Sequence, residues 1–212
     1  MATERISFSS REEWLAGRDA QGFGGSDAPA IAGCGFITTL DLWRQKTGRT
    51  KAKDISGLEI VAEGHRMEPF IREFWKGMHP EFTVESQPYD ILFQTERPWL
   101  FATPDGEVID NAGERGGLEI KNVTPRKRED WEEWRGRIPQ KYFVQCLHQL
   151  LATGWAYVWL VPALHNEIDG SVTIREYLIR WSDFEADIAS YLFMATTFRR
   201  YVTENIMPPL SF

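Results

Sequence analysis

Apolar and polar positions follow a helical period at both ends of the chain and a strand period in its middle. Ser10, with Glu13 at the spacing of a capping box, predicts a helix start ahead of Trp14 and Leu15. The turn Gly22-Phe23-Gly24-Gly25-Ser26-Asp27 follows, and Ser26 is expected to cap a short helix ending at Gly33. Residues 39–47 read as a helix stopped by Gly48. Residues 58–78 read as a longer one, with Val61, Ile71, Phe74 and Trp75 on its apolar side and Pro69 expected to kink or divide it.

The period then changes. Residues 82–93, 99–102, 107–109 and 117–123 predict strands separated at Pro98, Pro104-Asp105-Gly106 and Asn111-Ala112-Gly113. Pro139 and Gly154 bracket a helix. Residues 155–161 and 172–179 return to strand, the first apolar on both faces and so expected at the sheet centre. Ser182 with Glu185 predicts a closing helix to about residue 203. This order implies a mixed sheet flanked by helices, of class α/β or α+β. With no repeat, low-complexity tract or linker, residues 1–212 are expected to form a single domain.

Composition narrows the function. The 24 Lys+Arg against 31 Asp+Glu leave a net charge of −7, which argues against a passive nucleic-acid binder but not against an enzyme acting on nucleic acid. With 42% hydrophobic and 26% charged residues, wholesale disorder is excluded. Cys34 and Cys146 lie far apart, so a zinc ribbon, an iron–sulfur cluster or a disulfide framework is not expected. The first residues hold no apolar core of a signal peptide, and the longest apolar run, 155–164, is too short for a bilayer. A cytoplasmic protein without a membrane partner is the expectation.

The chemistry concentrates in Thr103-Pro104-Asp105-Gly106 and Glu119-Ile120-Lys121. On a strand, Glu119 and Lys121 share one face while Leu118 and Ile120 take the other. Asp105, at a turn between neighbouring strands, can bring a second carboxylate to Glu119. Two such carboxylates repel unless a cation separates them, and oxygen ligands suit Mg²⁺ or Mn²⁺. The ammonium of Lys121 can hold a water for attack on phosphorus or help deprotonate it. A plain amphipathic strand and turn would explain either tripeptide alone. Glu68 lies beside the apolar stripe of its helix, so it needs a partner, either Arg66 or Arg72 or a metal. Tyr142, Gln145 and Gln149 form a polar stripe opposite Phe143, Leu147, Leu150 and Leu151. Lys121, Arg126, Lys127, Arg128, Arg135, Arg137 and Lys141 outnumber Glu129, Asp130, Glu132 and Glu133, and Trp131 and Trp134 in that stretch either stack on DNA or pack on the sheet. The cysteines read as core residues. His65 and His148 read as packing groups or neighbours of the site rather than ligands.

Together these elements resemble the PD-(D/E)XK nucleases, and more closely the lambda-exonuclease and YqaJ-type alkaline exonucleases of phage recombination. The resemblance rests on Arg18 and Gly24-Gly25-Ser26-Asp27, the Asp41-Leu42-Trp43-Arg44 helix, Gly64 with Glu68, Pro104-Asp105-Gly106, Glu119-Ile120-Lys121, and Tyr142 with Gln145, in that order. Phe23 and Val123 depart from the family's usual residues, and neither is a presumed ligand. The resemblance implies a restriction-endonuclease-like fold and a 5′-to-3′ exonuclease that releases 5′-mononucleotides from double-stranded DNA ends. It implies that Asp105, Glu119 and the Ile120 carbonyl bind Mg²⁺, with Glu68 serving a second Mg²⁺ or its waters and Mn²⁺ able to substitute. Lys121 and Gln145 would position the water, and Arg18, Ser26 and Lys127 would grip the DNA 5′-phosphate. It also implies a homotrimer and a single-strand annealing protein as partner. An endonuclease, restriction-like or structure-specific, is the alternative; a DNA-end-binding module with a vestigial site is disfavoured by the intact acids and lysine.

Overall fold

The computed structural model of the chain describes residues 2–53 and 57–209. In chain order its elements are β1 (Thr3–Ser7), α1 (Arg11–Gln21), α2 (Ala28–Ile31), α3 (Thr39–Lys46), α4 (Glu59–Met78), β2 (Thr83–Glu85), β3 (Asp90–Gln94) and β4 (Phe101–Ala102). They continue with β5 (Gly106–Ile109), β6 (Arg115–Val123), α5 (Arg128–Glu132), α6 (Gln140–Thr153), β7 (Tyr157–His165), β8 (Val172–Ile174), β9 (Tyr177–Arg180) and α7 (Glu185–Thr203).

The larger sheet runs β2-β5-β6-β7-β8, with β9 also paired to β7. Only β6 and β7 are parallel, and the chain between them passes through α5 and α6, the crossover that a parallel pair requires. β7 is central, as its two apolar faces predict. Val158, Leu160 and Leu164 join the core built from α2, α3, α6 and α7, while Tyr157, Val161 and Ala163 join Ile71 and Trp75 of α4. The mixed sheet is therefore flanked by helices on both faces. The single strand expected over 172–179 is divided into β8 and β9, and Pro162 of β7 falls where pairing passes from one to the other. A residue with no N–H donor fits such an interruption.

The strand expected over 82–93 divides too. Its halves, β2 and β3, enter different sheets, with Pro88 in the turn between them. β3 pairs with β4 and with β1, a strand that the apolar pattern did not show because it is exposed along its whole length. Arg5 of β1 fastens the two sheets together through ion pairs to Asp90 of β3 and Glu107 of β5.

Several helix expectations need correction. Ser10 does cap α1, at 3.2 Å from the Glu13 N–H, but Glu13 reaches back to Ser9. Ser26 caps nothing: it lies inside a 3₁₀ turn, Gly25–Asp27, that leads into α2. Ser182 likewise sits in a 3₁₀ turn and makes no side-chain cap to α7. Pro69 does not divide α4, which runs unbroken from Glu59 to Met78. Phe74 is 52% exposed, because Ile71 and Trp75 take the face toward the sheet. Trp134 is buried and stacks on Tyr142 with centroids 5.2 Å apart, so it offers no surface to DNA. Among the described residues no helix is long and apolar enough to cross a membrane.

Candidate active site

The site begins with the alternation of β6. Leu118 and Ile120 pack toward α4, which turns Glu119 and Lys121 toward α6. Glu119 is buried, and a buried carboxylate needs compensation from every side. Lys121 pairs with its Oε1, and Gln145 Nε2 donates to the same oxygen at 2.6 Å. Gln149, one helical turn further along α6, donates to Oε2. Burial alone would lower the Lys121 pKa, but Glu119 and Asp105 outweigh it and hold the group protonated. Lys121 thus stands charged beside the two acids.

The antiparallel register that sets Gly106 opposite Leu118 brings Asp105 beside the same strand. Asp105 Oδ2 accepts the Ile120 N–H at 2.6 Å. Burial, then the charges of Glu119 and Glu68, push its pKa well above the usual carboxylate range. The acids are crowded. Glu68 of α4 faces them, and Arg72 one turn on pairs with it at 3.2 Å while also donating to the Asp105 carbonyl. Of the two partners expected for Glu68, Arg72 is the one that pairs with it, while Arg66 pairs with Glu59; the second contact of Arg72, to the Asp105 carbonyl, has no signal in the linear pattern.

These groups line a groove of about 1010 Å³. Arg18 and Ser26 line it as well, on segments remote in sequence. The Arg18 guanidinium lies 4.5 Å from the Trp14 ring centroid and 5.7 Å from that of Phe101, and it donates to Ser26 Oγ at 3.2 Å. It forms no ion pair among the described residues, and burial presses its pKa below the ordinary value. Gly24 is required beside it: a Cβ there would meet Phe101 at 2.9 Å and Arg18 Nη2 at 3.3 Å.

The other candidates sort by position. Lys127, exposed at the N-cap of α5, is not among the groove-lining residues, so Arg18 and Ser26 meet the acids without it. His65 lines the groove. His148 is fully buried, 2.7 Å from the Tyr191 hydroxyl and 2.9 Å from the Phe101 carbonyl, and burial pulls its pKa down to about 4. A neutral ring that donates through Nε2 and accepts at Nδ1 satisfies both contacts. Cys146 is buried, and Cys34 packs against the same core.

Among the described residues, no three His, Cys, Asp or Glu side chains form a ready-made cage for a cation. Asp105 and Glu119 are instead a pair of hard oxygen donors, tied together by the Ile120 N–H, which follows Glu119 on β6 and donates to Asp105. Mg²⁺ suits such a set, since it keeps several waters and commonly takes one or two carboxylates. Burial, then the charges of Glu119 and Glu68, oppose ionisation of Asp105, and a cation beside these acids would offset both.

A profile of the YqaJ-like viral recombinase domain matches residues 13–156, from α1 through α6. The uncharacterized protein YqaJ of Bacillus subtilis (strain 168) is 31% identical over 154 residues, which is 70% of this chain and 44% of that protein. The chain therefore spans less than half the length of this relative. The fold is similar to that of an alkaline exonuclease (LHK-Exo) from Laribacter hongkongensis, with TM-score 0.64, 19% identity, and coverage of 92% of this chain and 94% of that one. A phage related exonuclease from Haemophilus somnus 129PT matches with TM-score 0.57 and 11% identity over 87% of this chain and 96% of its own. Arg18, Glu68, Asp105, Glu119, Lys121 and Gln145 all lie within the matched residues, and the chain belongs to the family of YqaJ-like viral recombinase domains.

Proposed function

We propose that this chain is a Mg²⁺-dependent exonuclease that degrades one strand of linear duplex DNA from its 5′ end to 5′-mononucleotides. One observation carries the reading: a single groove joins the crowded Asp105–Glu119–Lys121 constellation to an Arg18 guanidinium that makes no ion pair among the described residues, Asp27 and Asp19 acting on it only from further off. Carboxylates for a cation and an anion grip in the same groove suit hydrolysis next to a terminal phosphate. That LHK-Exo is an alkaline exonuclease, and was crystallised with the mononucleotide dAMP, supports the same reading.

Asp105, Glu119 and the Ile120 carbonyl would hold the metal, with Glu68 toward a second ion or its waters. When bound, Mg²⁺ supplies a Lewis acid and lowers the pKa of a coordinated water. The protein's own groups do the rest. Gln145 and Gln149 fix both oxygens of Glu119, so the carboxylate is held in one orientation before substrate arrives. The Lys121 ammonium donates to the attacking water or to a non-bridging phosphoryl oxygen. Arg18 and Ser26 set the distance from the DNA end to the scissile bond, which gives the polarity.

A chain of net charge −7 holds a polyanion weakly on its own. We propose a homotrimeric ring around the duplex, with a single-strand annealing protein receiving the strand left behind. Light scattering is expected to give three times the 24.5 kDa chain mass.

The deciding experiment is incubation of linear 5′-phosphorylated duplex with Mg²⁺, with and without chelator, alongside a covalently closed plasmid. Release of mononucleotides from the linear DNA alone, abolished by chelator, is expected. Nicking or linearisation of the closed plasmid would replace the exonuclease with an endonuclease.

A further inference from the structure

A second group of residues leads away from Lys121 on the side where α6 begins. Phe36, in the loop between α2 and α3, is 88% exposed. Its loop is nonetheless fixed on both sides. Gly35 lies so close to α2 that a Cβ would meet the Ala30 nitrogen at 2.8 Å, and the Cys34 N–H donates to the Pro29 carbonyl at 2.8 Å. Beyond Phe36, Thr38 caps α3 through the Asp41 N–H at 3.1 Å, and Thr39 Oγ1 donates to the Ala30 carbonyl at 2.7 Å. An apolar ring is thus held out into solvent by a braced backbone.

The surroundings of that ring are ordered by charge. The Lys141 ammonium, in the first turn of α6, lies 4.4 Å from the Phe36 centroid and 5.1 Å from the Tyr142 centroid. Tyr142 in turn lies 5.6 Å from the Lys121 ammonium, and its stack on buried Trp134 holds its plane. Lys141 forms no ion pair among the described residues and acts on Asp130 only from beyond contact, so its ammonium can take an anion. Cation, ring, cation, ring therefore follow one another from the catalytic lysine outward. Single-stranded nucleic acid has the complementary order, phosphate alternating with base, and proteins bind it through basic groups interleaved with stacking surfaces.

We propose that Lys141 and Phe36, aligned by Tyr142, hold the DNA strand beside the scissile phosphate in unstacked form, with a phosphate on Lys141 and a base on the open face of Phe36. The proposal rests on the nuclease reading for its substrate class and adds to it that the duplex end is melted at this point, since a base can reach Phe36 only after leaving its own stack. No base is favoured, because every base offers a stacking face.

The test is equilibrium binding of a 5′-phosphorylated duplex, with 2-aminopurine in its first few positions, to the full chain in metal-free buffer. Phe36→Ala is expected to weaken binding about five- to hundredfold and to remove the fluorescence change, with Phe36→Trp restoring both. Lys141→Ala is expected to lower the slope of log affinity against log salt by about one. Because Phe36 is exposed, thermal midpoints should not move, which separates these losses from misfolding. Unchanged affinity, salt slope and fluorescence in both variants, while the wild type still degrades the duplex, would overturn the proposal and spare the nuclease. Losses of binding in both variants of a wild type that cleaves nothing would support the strand track and overturn the nuclease.

Discussion

Gln145 Nε2 stands 2.6 Å from Glu119 Oε1, spanning the gap between α6 and β6. This contact converts two features far apart in the sequence, a strand acid and a helix amide, into one oriented donor group. It also explains why the acid tolerates burial.

Removing crowded charge should separate stability from activity. Asp105→Asn keeps an acceptor for the Ile120 N–H but deletes the charge that Glu119 and Glu68 oppose. The variant should be inactive, with a thermal midpoint equal to or above that of the wild type in metal-free buffer. Mg²⁺ should raise the wild-type midpoint and leave the variant's in place. A Mg²⁺-dependent rise in Asp105→Asn would remove this residue from the metal site.

End recognition should depend on Arg18. The wild type should digest 5′-phosphorylated ends faster than 5′-hydroxyl ends, and Arg18→Ala should narrow that gap through loss of a charge-assisted contact worth about 1.5–3 kcal/mol. Rates measured on both ends decide it; equal wild-type rates would dismiss the assigned polarity.

Arg72 should act on the turn rather than on DNA. Its Nη1 donates to both the Asp105 carbonyl and Glu68, from the end of a planar guanidinium whose position a lysine ammonium does not reproduce. Arg72→Lys should lower kcat about tenfold or more with little change in KM, and Arg72→Met should also cost about 1–3 kcal/mol of stability. Urea unfolding and steady-state kinetics test the two parts, and a pure KM effect would instead make Arg72 a substrate contact.

His148 gives a stability change with a defined sign. Its folded pKa, about 4, lies below the ordinary value of 6.5, so its contribution is complete above pH 6.5 and is lost as pH falls toward 4. The full difference is on the order of 3 kcal/mol. His148→Gln retains one donor and one acceptor for Phe101 and Tyr191 without titrating. Between pH 7 and 4 the wild type should lose more stability than this variant in urea titrations. Parallel profiles would show that His148 titrates normally.

The sequence by itself determined which candidate side chains share a face and much of the architecture. Alternation in 117–123 fixed which side Glu119 and Lys121 share, because a strand's side-chain period is two whatever it pairs with. The two apolar faces of 155–161 fixed β7 at the centre for a similar reason: only a covered strand can bury both. Tertiary structure decided the rest. β1 became visible only through its partner β3, since an exposed edge strand carries little apolar signal. The segment 82–93 was divided between two sheets by pairing partners that no local pattern names. Ser26 lost its expected capping role and Arg72 gained a bracing one, because side-chain hydrogen bonds depend on which segments meet in space. Periodicity is a property of the local backbone, and it is legible in the chain. Which carboxylate faces which cation is set by long-range packing, and only the folded protein shows it.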